Sequence, residues 1–122
     1  MEKKTRIARC HLRKHRRLWG LTSKRLALLI GLKSASHLSR IEHGKRPPKI
    51  EVALACQVIF GVPPAEMFPH VYARVEDRVM RNIGQFHSAL EQSTSPSGIR
   101  KRELCELALK RAVENPRSPE GV

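Results

Sequence analysis

The 122-residue sequence has only three cysteines and no long apolar run, and each of these two shortages excludes a class of protein. Its three cysteines are far apart and form no CxxC pair, so neither a disulfide scaffold nor a zinc framework is predicted. No stretch approaches the roughly 18 to 20 apolar residues that a membrane-spanning helix needs. The N-terminal MEKKTR precedes no apolar segment, so we expect no secretory signal and a reduced, cytoplasmic protein with no membrane contact.

Acidic residues are scarce in only one part of the chain. Residues 1–49 hold 15 Lys and Arg against Glu2 and Glu42, which leaves +13, whereas residues 50–122 hold nine charges of each sign. Solubility needs a net charge of only a few units. The asymmetry therefore indicates that the N-terminal half binds a polyanion. Nucleic acid is the leading candidate, ahead of an anionic membrane surface or an acidic protein.

The alternation typical of β-strands is also absent, which predicts an all-α chain. Thr22 or Ser23 and Ser34 are suitable N-caps, and Gly31 and Gly44 are suitable stops. The segment 50–60 is apolar almost all round, which predicts a buried helix, and STSPSG (93–98) predicts a flexible connector. Together these signals place helices at about 6–18, 23–30, 34–43, 50–60, 71–90 and 99–114, with one extra turn in VPPAEMFP.

A short helix, a glycine turn and a second helix rich in small polar residues describe a helix-turn-helix. Residues 12–68 resemble the phage-repressor-like (XRE or Cro-type) helix-turn-helix family. The resemblance lies in GLTSKRLALLIGL (20–32), LSRIEHGKRPP (38–48) and ALACQVIFGVPPAEMF (53–68). It implies a compact five-helix DNA-binding domain, which we place at residues 1–70. A helical C-terminal extension at 71–114 and a disordered tail at 115–122 would follow.

The resemblance also implies which residues meet DNA. It makes residues 34–43 the recognition helix in the major groove, with base contacts from Ala35, Ser36, His37 and Arg40. Arg40 can donate to guanine O6 and N7, while Ser36 and His37 can bond either a base or a phosphate. Phosphate contacts are expected from Thr22, Ser23, Lys24, Lys33, Ser34, Ser39, Lys45 and Arg46. The family frequently joins the positions of Arg16 and Glu42 in a structural ion pair, and we expect that pair here.

Two features depart from the family pattern. Ser23 stands where the family often has glutamine, and serine is too short to bridge a phosphate and the recognition helix. The turn between the two helices is one residue longer than usual, with Lys33 or Ser34 as the additional residue. This leaves two registers, one residue apart, open for Ala35 and Ser36.

Apolar residues recur at helical spacing in the neutral C-terminal half, and we expect them to form a homodimer interface: Val75, Val79, Ile83 and Phe86. The alternative is that they form local core, and part of this stripe is expected to pack against the helix at 99–114. Two copies would present two recognition helices, which suits an inverted-repeat operator.

The sequence thus predicts a sequence-specific, double-stranded DNA-binding transcriptional regulator associated with the nucleoid. We expect a repressor or autoregulator that acts by occupying its operator. One alternative is an antitoxin-type protein whose C-terminal half binds a protein partner; another is non-specific RNA or nucleoid binding. No nucleophile–base set or glycine-rich phosphate loop indicates an enzyme or a cofactor. Cys10, His11 and His15 lack a further ligand, so no metal site is predicted.

Overall fold

The computed structural model describes residues 10–115, and all regular structure in this range is α-helical, which confirms the predicted fold class. The chain divides into two units, residues 1–72 and residues 73–122. The predicted helical residues 6–9 and the predicted tail from residue 116 onward lie outside the described residues. The seven described helices are α1 (Leu12–Leu18), α2 (Ser23–Ile30), α3 (Ala35–Glu42), α4 (Ile50–Phe60), α5 (Pro64–Met67), α6 (Pro69–Ala89) and α7 (Pro96–Glu114).

Capping residues fix the ends of α2 and α3, as the sequence predicted. The Thr22 hydroxyl oxygen accepts a hydrogen bond of 3.0 Å from the backbone N–H of Arg25, at the start of α2. Gly31 ends α2 with a φ of 96°, in the left-handed region that glycine adopts at little cost. The Ser34 hydroxyl oxygen accepts from the backbone N–H of His37 at 3.3 Å, so α3 begins directly after it. The connection between the two helices is therefore four residues long, from Gly31 to Ser34.

The first unit has one hydrophobic core, to which each of its helices α1–α5 contributes. The most deeply buried side chains are Leu12, Leu26, Leu38, Ile41, Cys56 and Met67. Burying a Leu, Ile or Met side chain stabilises by roughly 1.5 to 3 kcal/mol before entropic costs. The His11 N–H also donates to the Met67 carbonyl oxygen at 2.9 Å, so the start of α1 is bound to the end of α5. This core determines which face of α3 points outward.

The prediction that α4 is buried on all sides was wrong. Only Val52 and Cys56 of this helix are buried. Ile50, Leu54 and Val58 are 69%, 49% and 85% exposed, and their four-residue spacing places them along one side of the helix. An apolar sequence does not by itself provide neighbours, and the small first unit covers only one face of α4.

The second unit contains α7 and the part of α6 from Ala73 onward, and a short turn joins these two helices. The Arg102 guanidinium donates to the carbonyl oxygens of Leu90 and Ser93, at 2.8 and 3.1 Å, which satisfies backbone groups at the end of α6. The predicted connector 93–98 is too long, because α7 already begins at Pro96. Proline is favoured in the first helical turn, and the Ser95 hydroxyl oxygen caps the helix by accepting from the Gly98 N–H at 3.0 Å.

Candidate nucleic-acid interface

Helix α3 has one buried face and one exposed face. Leu38, Ile41 and Glu42 are buried against the first unit. Ser36 and Arg40, which are one turn apart, are both exposed. The Ser34 cap makes Ala35 the first helical residue, and its methyl group is half-buried beside the exposed face. The exposed face therefore combines small side chains, which allow close approach, with one long cation.

A buried ion pair holds α3 against α1. The Arg16 Nε–H donates to Glu42 Oε2 at 2.7 Å, and Nη2 donates to Oε1 at 3.3 Å. The remaining Nη1 donates to the Leu21 carbonyl oxygen at 3.0 Å. The side chains of Arg16 and Glu42 are only 12% and 2% exposed. The guanidinium meets the carboxylate through two N–H groups, and lysine could not reproduce this fork geometry. Both oxygens of the Glu42 carboxylate are therefore bonded to Arg16, and the carboxylate serves to hold the two helices together.

A groove of about 600 Å³ lies between the start of α2 and the start of α3. Its polar lining includes Thr22, Lys24, Lys33 and Ser34, four of the eight residues predicted to contact phosphates. The first N–H groups of a helix lack partners within the helix, and the helix dipole favours an anion there. Arg25 also lines this groove and is exposed, although the sequence reasoning did not select it. Its position in the first turn of α2 was the available signal.

A second groove, of about 430 Å³, lies on the other side of the first turn of α3. Lys33, His37, Arg46 and Lys49 line it, together with Glu51 from the start of α4. Lys49 was also missed as a site residue, because its place beside α3 depends on how the loop 44–49 folds back. Partial burial lowers the pKa of His37, and so do the nearby positive charges of Arg46, Arg40 and Lys49.

The loop after α3 carries exposed cations next to that helix. Lys45 and Arg46 are exposed, and the Lys45 N–H donates to the Arg40 carbonyl oxygen at 2.8 Å, which ties the loop to α3. The Ser39 hydroxyl lies 3.3 Å from His43 Nδ1, whose ring also bonds the Ser39 carbonyl oxygen at 2.8 Å. A phosphate contact from Ser39 would have to compete with this local bond. Ser23 is half-buried in the first turn of α2.

The two described thiols of the first unit are buried. Burial raises the pKa of Cys10 to about 11 and the pKa of Cys56 to about 12, so both thiols are protonated at neutral pH. A metal ligand must be the thiolate. Within residues 10–115, no three His, Cys, Asp or Glu side chains come together in a group that could hold a metal ion.

In the second unit, the four predicted interface residues are not equally exposed. Val75, Val79 and Phe86 are 39%, 39% and 45% exposed, whereas Ile83 is half-buried. His87, which follows Ile83 by one turn, bonds Glu106 of α7 at 3.0 Å. Helix α6 has no buried residue at all among its 21 positions. Dimerisation through this helix stays a prediction.

None of the described helices is both long enough and apolar enough to cross a membrane.

Cations flank the exposed face of α3 in both directions, with Lys24 and Arg25 toward α2 and with Arg46 and Lys49 toward α4. Such an arrangement can neutralise phosphates on either side of a DNA groove while the helix between the cations contacts base edges.

The helix-turn-helix family model matches residues 12–67, which are the five helices α1 to α5. No curated protein and no solved structure matches the chain significantly. The matched family is the phage-repressor-like (XRE) family, as the sequence predicted, and it consists of regulators that bind double-stranded DNA. Residues 12–67 therefore form a helix-turn-helix domain of the XRE family, and this match supports a DNA-binding transcription regulator of that type.

Proposed function

We propose that this protein is a sequence-specific repressor or autoregulator that binds an inverted-repeat operator as a homodimer, in the cytoplasm and at the nucleoid. The observation that carries the proposal is the exposed face of α3, where Ser36 and Arg40 are accessible between two cation-lined grooves. Arg40 would donate to guanine O6 and N7. Ser36 would bond a neighbouring base, and the Ala35 methyl would contact a thymine methyl.

The phosphate contacts would come from both grooves. The start of α2, with Thr22, Ser23, Lys24 and Arg25, would hold one strand's backbone through its N–H groups and its cations. Lys45 and Arg46 would hold the backbone on the other side of α3. No bond is made or broken, so regulation is steric: an occupied operator excludes polymerase.

Dimerisation would supply the specificity that a single unit lacks. One small DNA-binding module buries only about 600 to 1,000 Å² of protein surface and reads few base pairs. Val75, Val79 and Phe86 give α6 an exposed apolar stripe, with Ile83 at its edge. Because residues 50–122 are neutral overall, two copies of this half can approach without the repulsion between the N-terminal halves.

Selection of duplexes from a random pool by the full-length protein tests the proposal. We expect enrichment of an inverted repeat whose half-site centres lie about one DNA turn, roughly 34 Å, apart. Arg40→Ala should lose the preference at one base pair in each half-site. Equal binding of random duplex, single strand and RNA, with no enriched motif, would instead indicate non-specific binding by the basic half.

The alternative function is an antitoxin-type interaction protein, in which the second unit binds a partner protein and DNA binding is autoregulatory. It is favoured by the exposed apolar side chains of α7, where Leu104, Leu107 and Val113 are 61%, 49% and 78% exposed. A partner encoded by an adjacent gene should then co-purify with the full chain in stoichiometric amount. A repressor without such a partner should purify alone.

A further inference from the structure

The second groove beside α3, called here the basic cleft, collects groups that attract anions from three separate segments. Lys33 comes from the turn after α2, His37 from the first turn of α3, and Arg46 and Lys49 from the loop before α4. Glu51 is the one acidic residue among its lining residues, and the remaining lining residues are Ile30, Gly31, Leu32 and Val52. The cleft encloses about 430 Å³, which is ample for a phosphate group.

We propose that the basic cleft binds a phosphate oxyanion and that His37 takes up a proton when it does so. Two lysine ammoniums and one guanidinium can donate to the phosphate oxygens, and a protonated imidazole adds one more charged donor. The phosphate can come from the backbone of bound DNA, in which case the inference rests on the proposed function and moves His37 from base contact to phosphate contact. It can also come from free phosphate in solution.

The charges around His37 explain why its protonation should depend on the anion. Arg40 lies one turn further along α3, Arg46 and Lys49 approach from the loop before α4, Lys33 from the turn after α2, and Glu51 from α4. Without an anion, partial desolvation and three of these cations, Arg46, Arg40 and Lys49, keep the pKa of His37 below its usual 6.5. A phosphate within hydrogen-bonding reach would place an opposite charge beside the ring and favour the imidazolium.

The sign of the pH dependence follows from this difference. At pH 7 and above, His37 is neutral in the free protein, and the cleft then offers three cations without it. In the complex the pKa of His37 is raised, so the bound state holds more protons than the free state as the pH falls through that value. The contribution of His37 to phosphate affinity should therefore grow toward acid pH, and each unit of difference in pKa between free and bound protein corresponds to up to about tenfold in affinity.

The direct test is an NMR titration of the His37 ring in the full-length protein, in chloride, in inorganic phosphate at matched ionic strength, and with saturating duplex DNA. We expect at least one of the two phosphate sources to raise the pKa of His37 by about one unit. A rise with duplex alone assigns the cleft to the DNA backbone, and a rise with inorganic phosphate assigns it to the free anion. An unchanged His37 pKa in both would overturn the proposal.

The matched variants are His37→Gln and His43→Gln. His43 lies at the end of α3 with its ring bonded to Ser39, away from the cleft lining. Between about pH 5.5 and pH 8, the affinity of the parent relative to His37→Gln, for inorganic phosphate or duplex, should rise toward acid pH, whereas its affinity relative to His43→Gln should stay constant. The comparison at each pH cancels the protonation of inorganic phosphate itself. A ratio of parent to His37→Gln affinity that did not change with pH would refute the role of His37. If the protein bound no duplex at all, the proposed function would fail, while the inorganic phosphate titration would still decide whether the cleft binds an anion.

Discussion

Arg40 and Lys45 are neighbouring exposed cations, but the two side chains leave the backbone from different places. Arg40 projects from the exposed face of α3, and Lys45 belongs to the loop whose N–H bonds the Arg40 carbonyl oxygen. Arg40→Ala should cost about 1 to 3 kcal/mol at the operator and relax one base position. Lys45→Ala should weaken binding to all sequences alike and reduce the slope of log K against log salt by about one.

These two outcomes are separated by titrating each variant with the selected operator and with random duplex at several salt concentrations. Arg40→Ala should change the ratio of the two affinities, and Lys45→Ala should leave that ratio intact. Equal losses on both duplexes for Arg40→Ala would show that Arg40 does not read a base.

The buried pair of Arg16 and Glu42 joins α1 to α3 within the first unit. Glu42→Ala should lower the free energy of unfolding by about 3 to 5 kcal/mol, because it leaves the Arg16 charge buried without a partner. Replacing both residues with apolar ones, as in Arg16→Met with Glu42→Leu, should cost far less than the single change. Urea unfolding of the full chain measures both.

Glu103→Ala is the control for that comparison, since it removes an exposed carboxylate from the interior of α7 and should change the free energy of unfolding by no more than about 0.5 kcal/mol. If Glu42→Ala behaved like Glu103→Ala, the buried pair would contribute little to stability.

At the scale of whole elements, the turn between α2 and α3 depends on the backbone of Gly31. A methyl group at Gly31 or at Gly84 would meet no atom within 4 Å, so packing is the same for both substitutions. Gly31 has a φ of 96°, which L side chains rarely adopt, and Gly84 lies inside α6. Gly31→Ala should therefore destabilise by about 1 kcal/mol. Gly84→Ala should stabilise by up to about 1 kcal/mol, because alanine favours helix.

Thermal unfolding of both variants and of the parent chain tests whether the two substitutions change stability in opposite directions. Loss of stability in both would mean that Gly84 is required for contacts rather than tolerated in the helix.

Local signals in the sequence predicted the first unit well, because its helix ends are set by nearby residues. Thr22, Ser34 and Gly31 act on backbone groups within four positions of themselves, and the sequence placed all three. The same kind of signal existed for α7 in the pair Ser95 and Pro96. There the run STSPSG (93–98) favoured a connector, and the cap was overlooked.

The features that could not be predicted depend on distant neighbours. Whether Ile50, Leu54 and Val58 are covered is decided by what packs against α4, and periodicity carries no information on that. Arg25 and Lys49 belong to the grooves only because α2, α3 and the loop 44–49 converge there. The basic face was predictable in sign from the charge count, but its division into two grooves required the fold.

At the scale of the whole molecule, the two units differ in net charge. Residues 1–72 hold 15 Lys and Arg against four acidic residues, a net +11, whereas residues 73–122 hold nine against seven, a net +2. A protein that binds DNA through one unit and itself through another gains from this division. Positive charge attracts the first unit to DNA phosphates. The low net charge of the second unit lets two copies approach with little electrostatic repulsion.

The decisive variant for self-association is Val79→Glu in the full chain. Val79 lies in the exposed stripe of α6, and burying an unpaired carboxylate in an interface would oppose association strongly. Gln85→Glu adds a negative charge to the same helix, about 120° around from Val79, and serves as the matched control. We expect Val79→Glu to sediment as a monomer and to bind the operator at least about tenfold more weakly, with half-site affinity retained. The control should remain dimeric.

A chain ending at residue 72, which keeps Val71 packed on the core of the first unit, should fold and behave like Val79→Glu. A dimer that survived both changes would place the interface elsewhere, and a parent chain that was monomeric on and off DNA would remove the reason for an inverted-repeat operator.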